Sequence, residues 1–165
     1  MQDLDKVCWG IIGCGDVTEM KSGPAFNKVP HSRLVAVMRR NASKAADYAA
    51  RHEVDQWYAD ATELINDSSV NAIYIATPPA SHLLYARMAM EAGKPVYVEK
   101  PMTLDATEAT QMADLSTDKN VKLTVAHYRR GHERILFIKK MLDSKAIGQI
   151  QTVKLVYHRN PLSPE

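Results

Sequence analysis

Val7-Cys8-Trp9-Gly10-Ile11-Ile12-Gly13-Cys14-Gly15-Asp16-Val17-Thr18 reads as a buried strand, Val7 to Ile12, running straight into a glycine-rich turn. Gly13 permits the tight strand-to-helix turn, and Gly15 lets backbone N–H groups approach a pyrophosphate with no Cβ in the way. The positive end of the following helix then faces the phosphates, which assigns Gly13, Cys14, Gly15, Asp16 and Val17 to such a site. The third position of this kind of turn usually holds Gly or Ala, for close helix–strand packing; here it holds Thr18, a departure. Gly pairs also make ordinary turns, so the weight of the motif comes from its surroundings.

Those surroundings alternate short apolar runs with helical patterns, the signature of a parallel sheet built from βαβ units. Leu34 to Met38 is a second strand, followed by a helix over Ser43–His52. A short strand, Gln56 to Tyr58, precedes a helix over Ala61–Asn66, and Ala72 to Thr77 is a buried strand stopped by Pro78 and Pro79. Ser81 opens a helix to Glu91, which Gly93 ends as a left-handed C-terminal glycine does. Pro95 to Glu99 is the fifth strand, Asp105 heads a helix to Thr117, and Val121 to Ala126 is the sixth strand. An acidic side chain at position 105 suits the positive end of that helix. The fold expected is α/β: a Rossmann-type doubly wound parallel sheet over residues 1–127.

From residue 128 the pattern changes. Ile135, Ile138 and Leu142 recur at helical spacing within His132–Asp143, Gly148 interrupts, and Gln149–His158 reads as a strand with Val153, Leu155 and Tyr157 on one face. A lone strand does not stand in water. Residues 128–165 are therefore expected to begin a truncated second α/β domain; a short strand added to the first sheet is the other reading.

Composition narrows the function. The 165 residues are 45% hydrophobic and 24% charged, with a net charge of +2 from interspersed Lys, Arg, Asp and Glu. No basic tract favours nucleic acid, no apolar run approaches a membrane span, and no secretory leader pattern opens the chain. Cys8 and Cys14 have neither disulfide-framework nor zinc spacing and read as two small buried thiols in a reducing cytoplasm; no metal site is expected.

The end of the second strand discriminates between cofactors. Domains that bind NAD carry an Asp or Glu there, which accepts from the adenosine ribose. Here the strand ends in Arg39-Arg40-Asn41. No carboxylate repels a 2′-phosphate, and two guanidiniums stand ready to hold one, at roughly 1.5–3 kcal/mol per charge-assisted bond. NADP is expected ahead of NAD, with simple solvation of one or both arginines as the competing reading.

Gly13-Cys14-Gly15, Ala76-Thr77-Pro78-Pro79-Ala80-Ser81-His82, Gly93-Lys94-Pro95-Val96-Tyr97-Val98-Glu99-Lys100-Pro101 and Ala146-Ile147-Gly148 together resemble the glucose–fructose oxidoreductase / inositol dehydrogenase / MocA (Gfo/Idh/MocA) oxidoreductases. The resemblance runs through nearly the whole chain, and its most specific part is Glu-Lys-Pro at the end of the fifth strand. It implies an N-terminal cofactor domain followed by a larger α/β domain, homo-oligomerisation through that second domain, and hydride exchange between NAD(P) and carbohydrate-type or related hydroxyl or carbonyl substrates. It also gives Lys100 the catalytic place beside nicotinamide and substrate. A lysine beyond the C-terminal end of a parallel strand is well positioned there. Its ammonium would hydrogen-bond the substrate oxygen and stabilise alkoxide character, with partial burial tuning it for proton exchange.

By the same resemblance Glu99 shares that pocket, Thr77 and Pro78 line the nicotinamide half, and His82 either contacts cofactor or serves a hydrogen-bonded structural role. Tyr128 stands where many members carry Asn. Arg129 and Arg130 beside it are candidates for cofactor or substrate contacts, with surface charge as the alternative. The catalytic histidine of the family belongs to a C-terminal region beyond residue 165, and His127, His132 and His158 lie in the wrong segments to replace it. The reading is the cofactor-binding part of an NADP-dependent dehydrogenase or reductase acting on small molecules. A non-catalytic dinucleotide sensor on the same fold is the alternative.

Overall fold

In the computed structural model, residues 5–158 are described. The first compact unit extends to His127 and the second begins at Tyr128. In the first unit, β1 (Val7–Ile12), β2 (Ser32–Met38), β3 (Gln56–Tyr58), β4 (Ala72–Ile75), β5 (Val96–Val98) and β6 (Leu123–Val125) form one parallel sheet in the order β3-β2-β1-β4-β5-β6. The order reverses at β1, which makes its C-terminal end the topological switch point where ligands of such sheets bind.

Alternation along the strands explains the layers. On β4, Ile73 and Ile75 face one core and Tyr74 the other; on β5, Val96 and Val98 face the first and Tyr97 the second. The first core is closed by α3 (Ala61–Asn66), α4 (His82–Glu91) and α5 (Ala106–Asp118) through Leu64, Ile65, Ala86, Ala89, Met90 and Met112. The second is closed by α1 (Gly23–Phe26) and α2 (Ala42–Arg51) through Phe26, Tyr48 and Ala49. Apolar residues on both faces of a strand are what a parallel sheet covered on both sides requires.

Helix starts follow local chemistry. Asn41, Asp60 and Asp105 accept from the amides of Lys44 (3.0 Å), Thr62 (2.7 Å) and Glu108 (2.9 Å), satisfying N–H groups that the first turn leaves open. Gly93, at φ +73°, follows the end of α4. The strands after β3 are shorter than the apolar runs suggest: Thr77, Glu99 and Ala126 lie past the last ladder residues of β4, β5 and β6 and belong to the loops at the switch-point edge.

In the second unit a 3-10 turn, Tyr128–Gly131, leads to α6 (Glu133–Asp143), one residue inside the expected helix. The expected strand over Gln149–His158 does not form, either alone or as a seventh strand of the sheet. Val153, Leu155 and Tyr157 are exposed there. Among the described residues no strand supplies the ladder partner this segment needs, and an unpaired strand leaves its N–H and C=O groups to water. The chain's last stretch, residues 159–165, lies outside the described residues.

Candidate functional site

The turn after β1 is held from below. The amides of Gly13 and Cys14 both donate to the Met38 carbonyl at the end of β2, at 2.9 and 3.1 Å. Gly13 has φ +95°, and a Cβ there would stand 2.7 Å from Thr77 Cγ2 and 2.9 Å from the Thr77 nitrogen. Glycine is therefore required at 13 by the protein itself. Gly15 differs: its φ is ordinary, and no protein atom lies within 4 Å of where its Cβ would stand. The space beside it is open, as a backbone approached by a ligand needs.

Thr18, the departure from the usual turn pattern, is completely buried. Its hydroxyl accepts from the Gly15 amide (3.0 Å) and donates to the Gly15 carbonyl (2.7 Å), locking the turn. From Thr18 to Ser22 the helix is π-helical: the Thr18 carbonyl accepts from the Gly23 amide and from the buried Tyr48 hydroxyl, at 2.9 Å. With Gly15 engaged by Thr18, the amides of Asp16 and Val17 at the head of this helix have no protein acceptor among the described residues. An anion placed there meets two N–H donors at the positive helix end.

Beside this turn lies a cleft of about 340 Å³. Gly13, Cys14 and Gly15 form its base; Met38, Arg39, Arg40 and Asn41 bound it from β2, and Ala76, Thr77, Pro78 and Tyr85 from the β4 side. Arg39 is half-buried and donates to the Cys14 carbonyl at 3.3 Å, which holds its guanidinium over the turn; Arg40 is exposed. Asn41 caps α2, whose first amides open on the same corner. Cys14 is buried, and that burial pushes its thiol up to about 11, with Arg39 partly opposing the shift. Cys8, expected to be buried too, is only half-buried; both cysteines are free.

Glu99 and Lys100 stand beyond β5 and do not line this cleft. Glu99 accepts from the Tyr74 hydroxyl at 2.6 Å and from the Lys100 amide at 3.1 Å. Tyr74 is fully buried, and that burial, then Glu99, raises its phenol well above the ordinary range. Tyr97 is raised for the same reasons in the same order. Lys100 is exposed. It stands on a surface loop past the strand end, and the partial burial expected of it is burial beside bound cofactor.

His82 has no exposed surface. Its Nε2 lies 2.7 Å from the Thr77 carbonyl, and its Nδ1 lies 3.1 Å from the carbonyls of Pro101 and Met102. It ties the loop after β4 to the loop after β5 and does not line the cleft. Arg129 is exposed and belongs to the second unit. Tyr85, Met38, Ala76 and Asn41 line the cleft without having been singled out from sequence. Tyr85 was legible only as the residue one turn after His82 on α4, a signal too general to use.

Comparisons with known proteins bear on the family and the fold. The model of an oxidoreductase family with an NAD-binding Rossmann fold (GFO_IDH_MocA) matches residues 7–127. An oxidoreductase, P35, of Formosa agariphila is 52% identical over 150 residues, covering 91% of this chain and 47% of that protein. A 3-ketoreductase of Actinomadura kijaniata, solved with NADP and TDP-benzene, superimposes with a TM-score of 0.80 at 25% identity, covering 88% of this chain and 45% of that one. A scyllo-inositol dehydrogenase of Lactobacillus casei, solved with NAD(H) and scyllo-inositol, shares the fold with a TM-score of 0.79 at 23% identity, covering 87% and 42%. The chain thus spans about half the length of the curated relatives it matches. No helix among the described residues is long and apolar enough to cross a membrane.

Proposed function

Since the chain belongs to the Gfo/Idh/MocA oxidoreductase family, whose domain here binds NAD(P), we propose that it is the cofactor-binding part of an enzyme that prefers NADP(H). The observation that carries this is the corner formed by Arg39, Arg40 and the head of α2 beside the glycine turn, with no carboxylate among the residues lining it. A 2′-phosphate there meets two guanidiniums and a positive helix end, whereas the ribose hydroxyl of NAD finds no acidic acceptor. The open space at Gly15 and the amides of Asp16 and Val17 suit the pyrophosphate.

The bound dinucleotide would supply the hydride donor or acceptor at its nicotinamide ring. Lys100 then takes the catalytic role, donating a hydrogen bond to the substrate oxygen and stabilising negative charge on it as hydride moves. Glu99, fixed by Tyr74, orients the start of the Lys100 loop through the Lys100 amide. Thr77 and Pro78 position the adjoining loop, and His82 holds the two loops in register. Residues 128–165 begin a substrate domain whose remainder completes the site and the subunit interface. The substrate class is a small carbohydrate-like alcohol or carbonyl compound.

Titrating the chain with NADPH and NADH tests the cofactor reading. NADPH is expected to bind at least about tenfold tighter, the value of one charge-assisted bond. Equal affinities, or an Arg39→Asp variant with an unchanged ratio, would refute it. For catalysis, the protein extended to its relatives' length is screened against sugars, inositols, aldehydes and dihydrodiols. Lys100→Met with near-normal turnover there removes Lys100 from the mechanism. Cofactor binding without turnover on any substrate would instead favour a sensor.

A further inference from the structure

We infer that Tyr85 is the wall against which the adenine ring of the cofactor rests, an assignment that builds on the dinucleotide reading above. The cleft of about 340 Å³ lies between the end of β2 and the segment after β4, over the β1 turn, and excludes Glu99 and Lys100. Its β2 end, beside Arg39 and Arg40, serves the adenosine half of a dinucleotide, and Thr77 leads from the cleft toward the nicotinamide half on the β5 side. Its two sides differ in chemistry. Arg39 and Arg40 on the β2 side match phosphate; Ala76, Pro78 and Tyr85 on the other side are apolar. The planar, weakly polar group in that half of the ligand is adenine, and it belongs on the apolar side.

Tyr85 is built to present a fixed face. It stands three residues after the fully buried His82 on α4, and its ring packs partly on the first core while remaining partly open. Stacking a base on such a ring contributes by contact and polarisability, with little dependence on the hydroxyl.

The test uses the 165-residue chain with two probes, 2′,5′-ADP and 5′-AMP, by calorimetric titration. Tyr85→Ala is expected to weaken both by the same factor, at least about fivefold, the low end of base–aromatic stacking. Tyr85→Phe is expected to stay within about twofold of the parent. Tyr85→Leu, which keeps the apolar bulk on α4 without the ring, is expected to behave like Ala and carries the test if Ala unfolds the chain. Leu binding 5′-AMP as well as the parent, or Phe losing as much as Ala, overturns the assignment. The ratio between the two probes reads the arginine corner and not Tyr85. A parent ratio near one therefore defeats the NADP preference separately.

Discussion

Replacing Gly13 and Gly15 by alanine, one at a time, separates two reasons for glycine that look identical in the sequence. At Gly13 the φ of +95° is unfavourable for an L side chain, and the new methyl would lie 2.7–2.9 Å from side-chain and backbone atoms of Thr77. The left-handed conformation costs about 1–2 kcal/mol and the overlap with a packed strand end about as much again, giving roughly 3 kcal/mol. For a chain of this size that is a fall in Tm of about 6–12 °C. At Gly15 the φ is ordinary and the methyl meets no protein atom, so stability should change by less than about 1 kcal/mol. Yet that methyl enters the space proposed above for the pyrophosphate, and NADPH affinity should fall at least about tenfold. Thermal unfolding followed by far-ultraviolet circular dichroism and NADPH titration by fluorescence measure the two effects. The reasoning fails if Gly15→Ala is destabilised as much as Gly13→Ala, or if Gly15→Ala binds NADPH like the parent.

Other expectations concern the framework of the site. His82→Ala removes ring nitrogens from three backbone carbonyls in a buried position and should cost about 2–4 kcal/mol in urea unfolding, whereas an exposed control on the same helix, Arg87→Ala, should change stability by less than about 0.5 kcal/mol. Tyr48→Phe deletes the bond to the Thr18 carbonyl, which keeps its Gly23 partner, and should cost about 1 kcal/mol by the same measurement. Glu19 is held down to about 2 by the Arg51 guanidinium and then His52. Its folded pKa lies below the unfolded value, so its contribution is complete above about pH 4.5 and disappears as pH falls toward 2. With its side chain 30% exposed the pair is worth only about 0.2–1 kcal/mol; Glu19→Gln should lose that amount at pH 7 and progressively less as pH falls through the folded pKa. Cys14, buried with its thiol at about 11, should resist a thiol reagent at pH 8 until the chain is unfolded, and prompt native labelling at that residue would contradict its burial.

Most strands and helices of the first unit were legible because periodicity and caps are local. Asn41, Asp60 and Asp105 announce their helices through side chains that reach only two or three residues along the chain. Strand ends were read too long at Thr77, Glu99 and Ala126, since apolar character continues past the last ladder bond while pairing depends on a neighbour. The same dependence removed the strand expected over Gln149–His158: its alternation is real, but a ladder needs a second strand. Tyr85 joins the cleft because α4 packs beside β4, a consequence of packing that no motif records.

By itself the sequence determined the order of elements, the family, and the chemical types around the cofactor turn: two glycines, a pair of arginines and Glu-Lys-Pro. Each of these is a statement about neighbours in the chain, where local sterics and side-chain chemistry act. Tertiary structure decided which glycine is needed by the protein and which is left open to a ligand. It turned Thr18 from a mismatch into the lock of the turn, buried His82 between the Thr77 loop, five residues before it, and the Pro101–Met102 loop, 19 and 20 residues after it, and left Lys100 exposed. Those outcomes depend on which distant backbone atoms the sheet order brings within a few ångströms, and that proximity is created only when β1, β2, β4 and β5 pair.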